Sequence, residues 1–425
     1  MVDYYLNKSF NSRRKISFDS IFSWIVFFLT YLLIVNAALP QMEMLLFAGH
    51  VPIPSIIIKI LLIVLLVLYA LIYSGRPVNR KSILSLVLLL LLFSIEVALL
   101  TNNNFPLFAL IFGINAMYSL LIIAFLISSL YSTINPVHAE KVLLIVSVPL
   151  VFLGIAQTVM NLPLLPLDSM DGYFKVLVWN YFGQVRAFSL FEAPAYYATY
   201  LVFLGGVVLG YLLANRRGKG SMFYLFLFVA VTYSEFMSLN RTVILAYLFV
   251  VFIVFSIYKM GYRKKFLIIV MVVAFVSSAG LIFAVQIIHQ AFPFVFAFKD
   301  QSMLARYSEW QYWIHFIFLK PQTILFGSGL FQSSLFSSTK GVIIDNMFLA
   351  VLVQFGVVGL VIVLLSIYTI WSLMVEKHLF VSSPMAISSI ALITVWPIFS
   401  MFGTGLNIFP IYAAIPFLLR PANRM

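Results

Sequence analysis

The run VRAFSLFEAPAYYATYLVF (185–203) carries Arg186, Glu192 and Pro194 within nine positions at the head of an otherwise apolar stretch. An arginine presents a planar fork of donors to anionic oxygens, and a carboxyl accepts a hydrogen bond or a proton. Charge intrudes again at EFMSLNRTVILAY (235–247), where Arg241 sits on a reversal that Ser, Asn or Gly could make without it. Glu235 stands six residues earlier, on a different helical face, and is no i,i+4 partner for Arg241. A third place is DNMFLAVLVQFGVVGL (345–360), in which Asp345 and Asn346 open a helix and Gly356 and Gly359 permit close approach of another. Between these lies QSMLARYSEWQYWIHFIFL (301–319), with Arg306, Trp310 and Trp313 at i, i+4, i+7 on one helical face, and Glu309 beside them. Each feature alone has a plainer reading. Arg186 can snorkel to headgroups, Asp345 can cap and complement a helix dipole, and tryptophan is an ordinary interfacial anchor.

The elements that hold these residues are apolar to an extent that sets the solvent. The chain is 63% hydrophobic and 9% charged, with a mean hydropathy of +1.09, far more apolar side chain than a soluble chain of 425 residues buries. Twelve windows approach or exceed spanning length, at 19–39, 55–74, 82–100, 107–131, 141–160, 189–214, 221–239, 242–258, 266–288, 347–374, 384–402 and 406–419. The expected fold is an all-α polytopic membrane protein of about twelve transmembrane helices. The basic run NSRRK leads into a spanning-length segment without a cleavage pattern and reads as a signal anchor. There is no cysteine, which excludes thiol chemistry.

The net charge of +13 is no nucleic-acid footprint. With both termini inside, 18 of the 26 Lys and Arg residues face the cytoplasm, as the positive-inside rule requires. The two long hydrophilic segments, 161–188 and 289–346, then fall outside, together with Arg186, Arg241, Arg306 and Asp345. On this topology Glu192 lies one to two turns inside the sixth span, where a charge needs a wet cavity or a partner. The division is 1–288 for the first nine spans, 289–346 for a helical extracytoplasmic loop, and 347–425 for the last three spans.

Taken in order, these elements resemble the O-antigen ligase and O-antigen or exopolysaccharide polymerase superfamily of bacterial membrane glycosyltransferases. Arg186-x-x-Ser189-x-Phe191-x-x-Pro194-x-x-x-Ala198 is similar to the family's Arg-x-x-Gly-x-Phe-x-x-Pro-Asn-x-x-Ala, with Ser for Gly and Ala195 for Asn. Ser238-Leu-Asn240-Arg241 resembles its Ser-x-Ser-Arg hairpin. Arg306-x-x-x-Trp310 followed by PQTILFGSGL (321–330) resembles its loop of Arg, Trp and Phe-Gly-x-Gly. Asp345-Asn346, nine residues, then Gly356-x-x-Gly359 follows the ligases' His-Asn-x9-Gly-x-x-Gly except at the first position. Asp in place of that His favours a polymerase or another branch of the superfamily over a ligase. The resemblance spans about 185–360, and the first five spans share only hydropathy.

The resemblance implies a GT-C-like enzyme of cell envelope biogenesis in the bacterial cytoplasmic membrane, its active site facing the periplasm or exterior. It would polymerise oligosaccharide repeats carried on a polyprenyl diphosphate, such as undecaprenyl diphosphate, into O-antigen, capsule or exopolysaccharide. Donor glycan, acceptor glycan and the bilayer are the implied partners, and a chain-length regulator is a further candidate. Arg186, Arg241 and Arg306 would cradle the leaving diphosphate, where arginine forks act on developing charge. Asp345 is the first candidate for the base, with Glu192 and Glu309 after it, while Trp310, Trp313 and Asn346 complete the expected substrate contacts. No zinc motif or Asp-x-Asp pair is present, so no cofactor and no metal are expected. The rival readings are a ligase acting on a lipid or protein acceptor, a lipid-linked oligosaccharide flippase or transporter, and a membrane scaffold.

Overall fold

A computed structural model of the chain describes residues 136–164, 184–189, 191, 194–214, 220–261, 263–291, 301–319, 321–328, 346–378 and 384–400, with a few helical positions between 21 and 68. Among the described residues the protein is helical and has no strand. Ten helices follow in chain order: α1 (Pro136–Val159), α2 (Pro194–Ala214), α3 (Ser221–Met237), α4 (Arg241–Met260), α5 (Lys264–Ala291), α6 (Gln301–Phe318), α7 (Pro321–Phe326), α8 (Met347–His378), α9 (Pro384–Thr394) and α10 (Trp396–Ser400). Three of them contain stretches long and apolar enough to cross a membrane: Pro194–Ala214, Thr242–Met260 and Met347–Thr369. The windows at 19–39 and 55–74 are described only at isolated positions, and those at 82–100, 107–131 and 406–419 lie outside the described residues.

Local chemistry sets the helix ends. Past Val159, the α1 chain turns through Asn161 in the left-handed region (φ 52°), and Pro163 forbids continuation. Pro194 opens α2 at a first-turn position, where its missing N–H costs nothing. The sixth window therefore becomes helical at 194, not at 189.

At the centre of the bundle, α2 packs against α3, α4 and α9, and α3 packs against α1. Tyr197, Ala198, Leu201, Val202 and Leu204 of α2 have no exposure. Small residues allow this closeness, since a Cβ at Gly206 would run into Ser388 of α9 and one at Gly154 into Tyr197. Hydroxyl pairs tie the helices together across their buried interfaces. Tyr197 OH meets Ser234 Oγ at 2.8 Å and Thr232 Oγ1 meets Tyr247 OH at 2.6 Å. Ser388 Oγ donates to the Phe203 carbonyl (2.7 Å), and Ser147 pairs with the Tyr200 hydroxyl. The outward stripe of α3 is exposed and large, with Phe226, Val229, Tyr233 and Phe236, and that of α4 carries Leu245, Leu248, Phe252 and Phe255. Such faces suit a hydrocarbon solvent.

Two breaks shape the C-terminal region. Val395 separates α9 from α10 and precedes Trp396 and Pro397, while Gly356 interrupts α8 with φ 64° and ψ −166°. Both halves of α8 then reach the α9–α10 corner. Phe348 lies edge-on to Trp396 (5.7 Å) and Phe275 (5.5 Å), and Trp371 Nε1 donates to Thr394 Oγ1 (3.0 Å). The break at Gly356 receives the end of α7. Ser328 supplies both its N–H and its Oγ to the Val353 carbonyl, each at 2.8 Å. A Cβ on Gly356 would collide with the backbone of Leu325 and Phe326, and one on Gly327 (φ 77°) with the backbone of Gln354 and Phe355. The two glycines thus meet reciprocally, main chain on main chain, and Gly327 works as a docking residue. Gly356→Ala is expected to cost about 2–4 kcal/mol from left-handed strain plus overpacking against atoms that cannot rotate away. Thermal unfolding should show the loss, and cleavage near 326–328 should accelerate; a variant as stable and as protease-resistant as the parent would contradict the docking.

Candidate functional site

The segment holding Arg186 is irregular yet tied down on both sides. Gln157, fully buried near the end of α1, accepts from the Phe188 (3.2 Å) and Ser189 (2.7 Å) amides through Oε1 and donates to the Ser189 and Pro163 carbonyls (2.8 Å each) through Nε2. Asn161 Oδ1 accepts from Val185 N (2.8 Å), and Phe191 N returns to the Phe188 carbonyl (2.9 Å). One amide group thereby replaces the ladder that a helix would have given these residues. Phe188 and Phe191 are buried, and the Phe191 ring rests 5.4 Å from that of Tyr197 and 5.3 Å from that of Tyr200. Ser189 takes a left-handed conformation (φ 52°), which an L side chain adopts at a cost of about 1–2 kcal/mol. Arg186 is half-buried.

On the far side, Ala187 N donates to the Met237 carbonyl at 3.0 Å. That bond joins the Arg186 segment to the α3–α4 reversal. The reversal is Ser238–Asn240, with Ser238 Oγ donating to the Glu235 carbonyl (2.7 Å), Leu239 left-handed (φ 53°), and Asn240 Oδ1 accepting from Val243 N (3.4 Å) as the cap of α4. Arg241 is the first residue of α4, as the sequence indicates; its side chain lies outside the described residues. The structure therefore brings the two arginine-bearing elements together, three residues separating the hydrogen-bonded Met237 from Arg241.

At the start of α8, Asn346 is the cap. Its Oδ1 accepts from Leu349 N (3.0 Å), its carbonyl accepts from Ala350 N (2.8 Å), and it is fully buried. The capping expectation attached to Asp345 thus belongs one residue later, because the side chain that reaches the third helical amide is that of 346. Asp345 and Glu192 lie outside the described residues. In α6 the expected helix is present, with Arg306 one turn before Trp310 and its side chain outside the described residues. Glu309 is half-buried. Trp310 (2% exposed) and Trp313 (5%) form a cluster with Ile317, Leu349, Ala350 and Val353, so α6 is seated on the first turns of α8 through its indoles. The Arg306–Trp310 element, the 326–328 turn and the 346–356 element are thereby one assembly.

Two residues escape sequence reasoning. Gln157 carries no local signal, its partners being 31 and 32 positions away. Glu235 is visible as an acid in an apolar helix, and its complete burial is not legible there. Comparison with protein-family models, with curated proteins and with solved structures finds no match for the chain.

Proposed function

We propose that the chain is a polyprenyl-diphosphate-dependent glycosyltransferase that polymerises lipid-linked repeat units on the outer side of a bacterial cytoplasmic membrane, in a GT-C-like bundle of about twelve spans. The observation that carries this reading is the Ala187–Met237 hydrogen bond, which puts the Arg186 segment and the Arg241 reversal in one corner. A glycosyl donor of this class leaves behind a diphosphate whose charge grows as the bond to the anomeric carbon breaks, and paired arginine forks at a membrane-shielded surface stabilise that charge. Two further features support the resemblance. Position 189, where the family motif has Gly, is left-handed here, and the FGSG turn docks into the Gly356 break, uniting two motifs that sequence alone lists separately.

In this reading Arg186, Arg241 and Arg306 hold the diphosphate. Asp345 takes the proton of the acceptor hydroxyl, and Asn346 fixes the start of α8 beside it. The test is incubation of purified protein with a defined lipid-diphosphate repeat unit. A ladder of lengthening products is the expected result. A single addition to a distinct acceptor would make the chain a ligase, and movement of the lipid across the bilayer without change of glycan length would make it a transporter.

A further inference from the structure

Glu235 lies near the outer end of α3, has no exposure, and neither carboxyl oxygen has a hydrogen-bond or ion-pair partner among the described residues. A buried carboxyl is normally matched by a donor or a cation, because the unmatched group forfeits its hydration without return. The hydroxyls nearest along α3 are those of Tyr197, paired with Ser234 Oγ next to Glu235, and Tyr247, paired with Thr232 Oγ1 three residues before it. Their protons are already committed. Thr232 Oγ1 donates to the Phe228 carbonyl (2.7 Å), so in the Thr232–Tyr247 pair the phenol must be the donor. Tyr197 OH donates to the Leu150 carbonyl (3.2 Å), which leaves Ser234 Oγ to donate to it. Tyr200 is in the same position, since Ser147 Oγ donates to the Leu143 carbonyl (2.5 Å) and must accept from the phenol. The hydroxyls described beside the carboxyl thus have lone pairs and no protons to offer. That surrounding repels a bare carboxylate and attracts a positive charge.

We propose that Glu235 is the anionic ligand of an internal site for one monovalent cation, with hydroxyl oxygens of Tyr197 and Tyr247 as its neutral ligands. Hard oxygen donors select a proton or an alkali ion over a soft metal. One carboxyl neutralises one positive charge, and no cluster of three metal-ligating side chains occurs among the described residues, so a divalent ion would remain uncompensated. The other titratable or charged groups on elements packed around this end of α3 are Tyr200 of α2, Arg186 of the preceding segment and Arg241 at the head of α4. Occupancy would draw α2, α3 and α4 together beneath the arginine corner. The inference stands on the bundle interior and does not depend on glycosyl transfer.

The test uses full-length protein in lipid nanodiscs. Thermal unfolding is followed in choline, K+ and Na+ chloride at matched ionic strength, in mildly acidic and mildly alkaline buffer. The unfolding temperature of the parent is expected to rise by about 2 °C for each tenfold excess of the preferred cation over its dissociation constant. A rise with Na+ or K+ at fixed pH identifies an alkali ion. A rise on acidification that ignores the salt identifies a proton. Glu235→Gln, which is isosteric and neutral, should be insensitive to both. Tyr247→Phe on the parent background, which needs no change at Glu235, should move the half-effective cation or proton concentration upward about tenfold. An identical response in parent and Glu235→Gln, no response in the parent, or an unshifted midpoint in Tyr247→Phe would each overturn the proposal.

Discussion

Under the proposed function, Asp345→Asn is expected to fold, insert and bind the lipid-diphosphate donor, and to make no polymer. Because Asn346 Oδ1 caps α8 through Leu349 N, the substitution at 345 leaves the cap intact, and the lost dipole interaction is at most ~1 kcal/mol. Loss of a general base, by contrast, lowers the rate about 100- to 10,000-fold without weakening ground-state binding of the donor. Donor binding measured beside product length separates the two. Asp345→His supplies a base of higher intrinsic pKa, so partial activity with an optimum moved to higher pH is expected. Near-normal polymer from Asp345→Asn would remove the base from Asp345 and pass it to Glu192 or Glu309, with the arginine corner unaffected.

Arg241→Lys is expected to be nearly as damaging as Arg241→Ala, each losing roughly 100-fold in polymerisation, the usual scale for one electrostatic contact to developing charge. A lysine keeps the charge and loses the fork, so a residue that only reaches headgroups tolerates the exchange and a bidentate diphosphate ligand does not. Position adds weight to this. Arg241 is the first residue of α4, where the macrodipole disfavours a cation by about 0.3–1 kcal/mol, and the cap is Asn240. Neither substitution should therefore lower the unfolding temperature. Retained polymer length with Lys and loss with Ala would show that charge alone suffices.

What the sequence conveyed was apolarity and its interruptions. The long windows at 221–239, 242–258, 266–288 and 347–374 correspond to α3, α4, α5 and α8, because a run of lipid-soluble side chains leaves the backbone no partner but itself. The abrupt turn before Arg241 and the amphipathic α6 were equally legible, the first from its Ser and Asn, the second from its spacing. Backbone conformation was not. Nothing in the hydropathy of 189–193 separates a left-handed Ser189 from the opening of a helix, and Gly356 has the same local pattern as a packing glycine inside a continuous one. Contacts across long separations were also hidden. Trp310 and Trp313 could equally have faced a sugar, a headgroup or another helix, and only the placement of Leu349, Ala350 and Val353 gives them to packing.

The Ser238–Asn240 connection has a mechanical corollary. Three residues, one of them left-handed and two of them hydrogen-bonded through their side chains, leave no slack between α3 and α4. The amide of Ala187 is fastened to the same joint. Arg186 and Arg241 are therefore carried on a single lever, and opening that corner by drawing one arginine from the other would require breaking the joint. In the proposed reading, the widening that admits a bulky lipid-linked glycan falls to α6 and α7, which are clasped to α8 by side chains and one carbonyl instead of by continuous chain.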